Sequence, residues 1–151
     1  METMSISLSK VTKENYEAVC DLQVTEEQDQ YVAPNTWSLV ESMFNDGHET
    51  RAICLNEAPI GFFMWVKETE ERTSIWRFMI DSKHQNKGFG LKAMNLALDE
   101  IRSDVQVKEI EICYDPENPV AKDFYSSFGF KEIGFGEDGD DMLAVISVKG
   151  W

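Results

Sequence analysis

The sequence predicts an α/β domain of the α+β type, with a mixed, mostly antiparallel central sheet of about seven strands and helices on both faces. Two observations carry this prediction. Strand-like segments in the first half are separated by short turns, which favours hairpins, and later ones are joined through helical segments. No repeat, low-complexity tract or Pro/Ser-rich linker divides the 151 residues, so we expect a single domain over 1–151.

The first half begins with a strand over Ser5–Lys10, in which Ile6 and Leu8 alternate with polar residues. Thr12 is a suitable cap for a first helix, whose apolar positions have helical spacing. The Pro-Asn-Thr break at 34–36 precedes a second helix that ends at Gly47. We expect its apolar side to be buried; that side carries Trp37, Val40 and Phe44.

The strands that follow have clear boundaries. Arg51–Asn56 and Ile60–Lys67 flank Glu57-Ala58-Pro59 and predict a hairpin. Ser74–Ile80 predicts a regular strand, with Ile75, Arg77 and Met79 on one face and Trp76, Phe78 and Ile80 on the other.

From Gly88 the apolar period becomes helical, and the expected stripe consists of Leu91, Met94, Leu98 and Ile101, with Ala97 alongside. A strand over Val107–Tyr114 and a short helix follow. The last two strands, near 130–135 and 142–148, flank an acidic turn at 137–141.

Net charge excludes several classes of function. Twenty-eight acidic residues against 14 Lys and Arg give a charge of −14, which disfavours binding to nucleic acid or to anionic membranes. Residues 14–50 hold nine acids and no Lys or Arg, which favours a cationic partner, although acidity also serves solubility alone. The longest apolar run, Ile60–Val66, is too short to cross a bilayer, and the N-terminus lacks a secretory pattern.

The cysteines indicate a reducing compartment. Cys20, Cys54 and Cys113 are odd in number, lie far apart and form no CxxC pair, so we expect buried free thiols in a cytoplasmic protein. His48 and His84 are too isolated to predict a metal site, and the 137–141 turn lacks EF-hand spacing.

The strongest chemical signal is Gln85-Asn86-Lys87-Gly88-Phe89-Gly90, between a strand and a helix. Glycines allow close approach to the backbone, and a helix N-terminus offers unpaired N–H groups to an anion, most naturally a phosphate. Lys83, Lys87 and Lys92 add local positive charge. The spacing is neither GxxxxGK[ST] nor GxGxxG, and taken alone the glycines could serve only a turn and a packing contact.

The pattern Q-x-x-G-x-G, followed at 118–130 by N-x-x-A-x-x-x-Y-x-x-x-G-F, resembles the GNAT superfamily of acetyl-CoA-dependent N-acetyltransferases. The resemblance covers 51–148 in element order and 76–130 in motif. It implies acetyl-CoA as co-substrate, no metal, and a pyrophosphate held by the backbone N–H groups of 86–91. The residues it assigns to the cofactor are Phe78, Met79, Ile80, Gln85, Asn86, Lys87, Gly88, Phe89, Gly90, Leu91, Asn118, Ala121, Phe124 and Tyr125.

The resemblance also implies two catalytic groups. The backbone N–H of Ile80 would stabilise the oxyanion, and Tyr125 would protonate the leaving thiolate. Many family members carry a Glu on the strand before the cofactor loop, whereas no acid stands between Ser74 and Ile80 here. The base therefore stays open among Glu26, Glu27, Glu68 and Glu111.

The acceptor region is expected between the first two helices. Its pattern L-x-V-x-x-x-Q-x-x-Y-[VI] is similar to that of the bacterial spermine/spermidine (diamine) N-acetyltransferase branch. Carboxylates beside aromatic rings suit ammonium groups and methylene chains. The expected substrate-binding residues are Glu26, Glu27, Gln28, Asp29 and Tyr31, with Trp37 nearby.

Several alternatives remain open. The 137–141 turn is either a second acidic wall or a solvated turn. The acceptor is a polyamine, or else an aminoglycoside, another small amine or a protein N-terminus. A third reading is a non-catalytic acetyl-CoA-binding domain. The aromatic ending Gly150-Trp151 hints at a homodimer contact, with a frayed terminus as the alternative.

Overall fold

A computed structural model describes residues 5–29, 31, 33–118, 120–137 and 139–148. The elements, in chain order, are β1 (Ile6–Lys10), α1 (Tyr16–Asp21), α2 (Glu26–Asp29), α3 (Asn35–Phe44), β2 (His48–Leu55), β3 (Ala58–Lys67), β4 (Arg72–Ile80), α4 (Phe89–Arg102), β5 (Glu109–Tyr114), α5 (Ala121–Ser126), β6 (Lys131–Phe135) and β7 (Met142–Ser147). The short helix α2 was not predicted.

The strands form one seven-stranded sheet in the order β1-β2-β3-β4-β5-β7-β6. Every neighbouring pair is antiparallel except β4 and β5, which are parallel. The predicted mixed, mostly antiparallel sheet of the α+β type is therefore confirmed. The parallel pair follows from α4, which carries the chain back across the sheet before β5 begins.

Strand β4 contains a β-bulge, so the regular alternation of its side chains between the two faces, as predicted, is wrong. Trp65 pairs with Ile75 and Met64 with Arg77, so Trp76 is the extra residue on β4. As a result, Ile75 and Phe78 belong to the same core, although the sequence spacing predicted opposite faces. On β4, one face carries Ile75, Phe78 and Ile80, and the other carries Trp76 and Met79.

Helix α4 covers one face of the sheet. Its buried residues are Phe89, Ala93, Met94, Ala97, Leu98 and Ile101. Leu91 was expected in this stripe but is half exposed, because it lies two residues from the N-terminus of the helix and borders an open cavity. A second, separate core lies on the opposite face of the sheet. Val19 of α1 and Leu39 of α3 pack in this second core, so helices cover both faces.

The apolar side predicted for α3 is not buried. Trp37, Val40 and Phe44 have 60%, 44% and 80% of their surface exposed. The helix turns Asn35 and Ser38 inward instead, and the Asn35 side-chain amide donates to the carbonyl of Val19 over 2.8 Å. Small polar side chains let α3 lie close to α1, which leaves its larger apolar residues outside.

The turns before α1 and after β2 add detail to the prediction. Before α1, the Thr12 side-chain oxygen accepts from the Glu14 N–H over 3.2 Å, as a cap does, and the Thr12 carbonyl accepts from the Tyr16 N–H over 2.9 Å. Asn15 adds a second side-chain contact by accepting from the Thr12 N–H over 2.7 Å. The β2–β3 turn is made by Asn56 and Glu57, both at positive φ, so β3 already begins at Ala58.

Gly150 and Trp151, on which the expected subunit contact rests, lie outside the described residues. Within the part of the chain that the structure describes, no helix is long and apolar enough to cross a membrane.

Candidate active site

The site begins where β4 and β5 part. Their pairing ends at Ile75 and Ile112, immediately before the bulge at Trp76, so no strand among the described residues pairs with the last residues of β4 on that side. The Asp81 N–H donates to the Ile60 carbonyl over 2.7 Å, which makes Ile80–Gly61 a non-hydrogen-bonded pair of the β3–β4 ladder. The N–H and C=O of Ile80 therefore point away from β3 and into this gap.

A cavity of about 360 Å³ opens at the gap; we call it the cofactor-side cavity. Its lining consists of Val24, Gln28, Phe78, Met79, Ile80, His84, Gln85, Asn86, Gly88, Gly90, Leu91, Asn118, Val120, Ala121, Phe124 and Tyr125. Of the residues predicted for the cofactor, only Lys87 and Phe89 are not in this lining. Lys87 is exposed, and Phe89 is buried in the core beneath α4.

Sequence reasoning missed Val24, His84 and Val120 in this lining. Val24 precedes α2, His84 ends a 3₁₀ turn and Val120 precedes α5. They come from three connections between elements, and no periodicity marks such positions. Pro119, inside the predicted Asn118–Ala121 motif, lies outside the described residues.

The N-terminus of α4 forms one end of this cavity. Its first intrahelical hydrogen bond runs from the Lys92 N–H to the Gly88 carbonyl over 3.3 Å, so the N–H groups of 88–91 have no partner within the helix. Gly88 has φ +81°, where a side chain would be strained, and Asn86 also has positive φ. Free donors at a helix N-terminus beside an apolar channel suit a group with a phosphate end and an apolar arm.

Gln85 joins three parts of the site. Its side-chain amide donates to the carbonyl of Ile80 over 2.8 Å and to Oε1 of Gln28 over 2.8 Å. A residue predicted for the cofactor and one predicted for the substrate are thus directly hydrogen-bonded. The bond also attaches α2 to the end of β4.

Aromatic rings form the wall between α5 and β4. Phe78 stacks on Phe63 and on Phe124, with ring centroids 4.6 and 5.7 Å apart. Tyr125 lies beside them, 5.3 Å from Phe124 and 5.4 Å from Tyr114 between ring centroids. Burial raises the pKa of the Tyr125 hydroxyl, so this phenol keeps its proton at neutral pH.

Beyond Tyr125 lies a second cavity, of about 220 Å³, which we call the acceptor-side cavity. Its lining is Tyr31, Ala33, Trp76, Arg77, Phe78, Cys113, Tyr114, Asp115, Asn118, Tyr125 and Asp141. Phe78, Asn118 and Tyr125 line both cavities, so these three side chains stand between them. The bulge at Trp76 turns Trp76 and Arg77 toward this cavity.

Charge in the acceptor-side cavity is mixed. Asp115 and Asp141 stand at the ends of β5 and β7, and Arg77 is paired with Glu41 of α3 over 3.5 Å. Burial, with a smaller contribution from Asp141, raises the pKa of the Cys113 thiol to about 11. The thiol is therefore neutral at pH 7, and Asp115 and Asp141 supply the carboxylates in the lining of this cavity.

The residues predicted to bind the substrate lie in different cavities. Tyr31 lines the acceptor-side cavity and Gln28 the cofactor-side cavity. Glu26 and Asp29 line a third cavity, of about 380 Å³, between α1 and α3. Glu27 is exposed, and Gln30 and Val32 of the sequence pattern lie outside the described residues. The acids of α2 are thus not gathered around one point.

Of the four candidate bases, none lines the acceptor-side cavity. Glu111 is buried on β5, contacts Arg72 over 3.2 Å and accepts from Ser74 over 3.3 Å. Burial raises the pKa of Glu111. Because the Glu111 carboxylate is engaged in these hydrogen bonds, its role in this structure is structural. Among the described residues, no group of three or more His, Cys, Asp or Glu is arranged to hold a metal ion.

Comparison with known proteins agrees with this geometry. Residues 15–130 match the acetyltransferase (GNAT) family. A spermine/spermidine N(1)-acetyltransferase of Bacillus subtilis (strain 168) is 26% identical over 138 residues, covering 87% of this chain and 91% of that protein.

Two solved structures share the fold. The spermidine N-acetyltransferase of Vibrio cholerae, in complex with CoA and spermine, has a TM-score of 0.76 at 18% identity, covering 94% of this chain and 95% of the other. The aminoglycoside acetyltransferase AAC(6′)-Ib, in complex with coenzyme A and kanamycin, has a TM-score of 0.80 at 18% identity, covering 96% of each chain.

The gap between β4 and β5 opens onto the cavity that ends at the N-terminus of α4. The chain belongs to the acetyltransferase (GNAT) family, whose members transfer acetyl groups to amines.

Proposed function

We propose that this protein transfers the acetyl group of acetyl-CoA to a primary amine of spermine or spermidine, by direct attack in a ternary complex. The observation that carries the proposal is the pair of cavities that meet at Tyr125, one with free helix N–H groups and the other with two carboxylates. The relative from Bacillus subtilis, whose name states the same reaction, supports the choice of amine.

The cofactor-side cavity suits acetyl-CoA. The N–H groups of residues 86–91, at the N-terminus of α4, would hold the pyrophosphate. The apolar wall of Phe78, Ala121 and Phe124 would contact the pantetheine arm, and Asn118 would hydrogen-bond to it. The thioester would then lie at the gap, where the Ile80 N–H points away from β3.

The acceptor-side cavity suits an ammonium chain. Asp115 and Asp141 offer carboxylates, while Tyr31, Trp76 and Tyr114 offer aromatic faces for cations and methylene groups. In this proposal the predicted acidic wall at 137–141 acts through Asp141. Asp138 of that turn lies outside the described residues. Glu26, Glu27 and Asp29 attract the cation from the neighbouring surface, and Gln28 and Tyr31 contact the reacting groups.

The chemical step needs a neutral amine. An ammonium group of the acceptor first loses a proton to water in the acceptor-side cavity. The amine lone pair then forms a C–N bond with the thioester carbonyl carbon, and the Ile80 N–H donates to the oxygen as it becomes negative. The C–S bond breaks as the carbonyl re-forms, and the Tyr125 hydroxyl donates its proton to the leaving thiolate. The acetylated nitrogen gives its extra proton, through water, to the Tyr125 phenolate, which restores the phenol.

Release of free thiol from acetyl-CoA tests the proposal across spermine, spermidine, putrescine, kanamycin and a lysine peptide. Saturable turnover confined to polyamines is the expected result. Turnover of kanamycin or the peptide alone would keep acetyl transfer and reject the polyamine acceptor. Binding of acetyl-CoA with none of these amines turned over would reject the polyamine acceptor and favour a cofactor-binding domain.

The cellular setting is part of the same proposal. Cys20, Cys54 and Cys113 are all free thiols, which is consistent with a reducing cytoplasm. Nucleic acid and membranes are not expected partners at a net charge of −14.

A further inference from the structure

We propose that Gln85 and Gln28 form a clamp that holds the acceptor-side helix α2 to the backbone of Ile80, and that Gln85 is thereby a positioning residue for the oxyanion donor. This inference rests on the proposed acetyl transfer. It assigns the Gln85 side chain to the protein's own backbone, whereas the motif resemblance assigned the residue to the cofactor.

The hydrogen-bond directions of the clamp follow from one chemical fact. The Ile80 carbonyl can only accept, so the Gln85 side chain must present its NH₂ group to it, over 2.8 Å. The second N–H of the same group then faces Gln28, which must present its carbonyl oxygen Oε1, also over 2.8 Å. Both donors of Gln85 are used, and the orientation of both side-chain amides is determined.

The clamp acts on the residue that borders the gap. In a non-hydrogen-bonded antiparallel pair, the N–H and C=O of one residue point to the same side. Gln85 therefore binds the carbonyl of Ile80 on the side that faces the gap, and the Ile80 N–H on the same side remains available to the thioester oxygen. The hydrogen bond from Gln85 restricts rotation of the backbone at Ile80. A small rotation of the donor changes the distance to a developing oxyanion, which lowers the rate of acetyl transfer.

The same clamp holds the acceptor side. Helix α2 has four residues. Among the described residues, the N–H groups of Gln28 and Asp29 donate to the Thr25 carbonyl, each over 3.0 Å, and the Tyr31 N–H donates to the Gln28 carbonyl over 2.8 Å. Such a short helix has little stability of its own. Gln28 is the α2 side chain in the cofactor-side cavity, and its NH₂ group, turned away from Gln85, remains for a bound ligand.

A double-mutant cycle of Gln28→Leu, Gln85→Leu and the double variant tests the clamp, with Gln106→Leu as a matched control. Gln106 is exposed, at the opposite end of β5 from the gap. We expect Gln85→Leu to lower kcat about tenfold to a hundredfold while the Kd of acetyl-CoA changes less than about threefold. The double variant should resemble Gln85→Leu alone, because the two residues act through one contact. Gln28→Glu, which keeps the accepting oxygen, should restore most of kcat.

Additive losses in the cycle would overturn the clamp. A weaker Kd for acetyl-CoA with unchanged kcat would also overturn it, and would return Gln85 to the cofactor. The rate of amide hydrogen exchange in the peptide over 24–31, with acetyl-CoA bound, measures how firmly the clamp holds α2 and does not depend on turnover. Faster exchange in Gln85→Leu than in Gln106→Leu supports it, and equal exchange contradicts it. This readout stays valid even where no amine is acetylated, so failure of the proposed function is distinguishable from failure of the clamp.

Discussion

Asp115 directly follows Tyr114 and Asp141 directly precedes Met142, and because Tyr114 and Met142 are the last register pair of β5 and β7, both aspartates lie at the same end of these strands and line the acceptor-side cavity. In the proposed function, a carboxylate at the end of each strand favours an ammonium group in this cavity, because charge-assisted hydrogen bonds to carboxylates are strong.

Replacing either aspartate by asparagine should weaken acceptor binding. A charge-assisted hydrogen bond contributes about 1.5–3 kcal/mol, so we expect Asp115→Asn or Asp141→Asn to raise the KM for spermidine about tenfold or more. The KM for acetyl-CoA should not change. Initial rates with each substrate varied check this. Glu14→Gln is the control, because Glu14 is exposed and lines none of the three cavities described above. An unchanged KM for spermidine in both variants would place the acceptor elsewhere.

Loss of the Tyr125 hydroxyl should slow the chemical step. We expect Tyr125→Phe to lower kcat about a hundredfold while binding of acetyl-CoA remains, because the ring still fills the wall. Burial raises the pKa of Tyr125, so the phenol remains protonated as the pH rises through its ordinary range near 10. The rate should climb with pH as the amine loses its proton, without a fall near pH 10. A fall there in the wild type that disappears in Tyr125→Phe would contradict this picture.

The β3–β4 contact beside Ile80 should not tolerate a side chain at Gly61. A Cβ there would lie 2.5 Å from the Met79 carbonyl oxygen and 2.9 Å from Cδ1 of Ile53. We expect Gly61→Ala to reduce the free energy of unfolding by about 2–3 kcal/mol, measured by urea denaturation. At Gly90 the nearest atom to a new Cβ is 3.5 Å away, so Gly90→Ala should not destabilise the fold. Equal stability of the two variants would contradict the close approach.

The ion pair around Glu111 should make stability depend on pH. Burial raises the pKa of Glu111, so its cost to the fold is absent at low pH and appears as the pH rises through the ordinary range of a glutamate. Arg72 offsets this cost through its contact with the carboxylate over 3.2 Å. We expect Arg72→Leu to lower the melting temperature by about 2–4 °C at pH 7, and by less at pH 4.

Lys108→Leu is the control for this prediction, because its 3.2 Å pair with Glu71 is exposed on both sides. Its melting temperature should stay close to that of the wild type at both pH values. An equal loss for Arg72→Leu at pH 4 and pH 7 would show that packing, rather than charge, explains the effect.

The sequence predicted the sheet and the cofactor-side cavity well, because both depend on local signals. Hydrophobic period located all seven strands, and the glycine motif located the N-terminus of α4. The bulge at Trp76 could not be predicted, because a single inserted residue leaves the apparent alternation of Ile75, Arg77 and Met79 intact. That bulge decides which side chains line the acceptor-side cavity.

The residues that line the acceptor-side cavity were harder to predict, since they come from segments distant in sequence. The β5–β7 register brings Asp115 and Asp141 to the same end of the two strands. The apolar residues of α3 were expected inside, whereas Asn35 fits against α1 and turns Trp37 and Phe44 outward. Lys87 and Phe89 were included because they lie inside the motif, although the loop turns them away from the cavity.

The most direct test of the central claim is the initial-rate pattern with acetyl-CoA and spermidine varied together. The two cavities joined at Tyr125 predict that both substrates bind at once, which gives intersecting lines in double-reciprocal plots and N-acetylspermidine as product. Parallel lines would indicate a covalent acetyl-enzyme and contradict direct attack. Absence of any acetylated spermidine, with acetyl-CoA bound, would contradict the polyamine assignment itself.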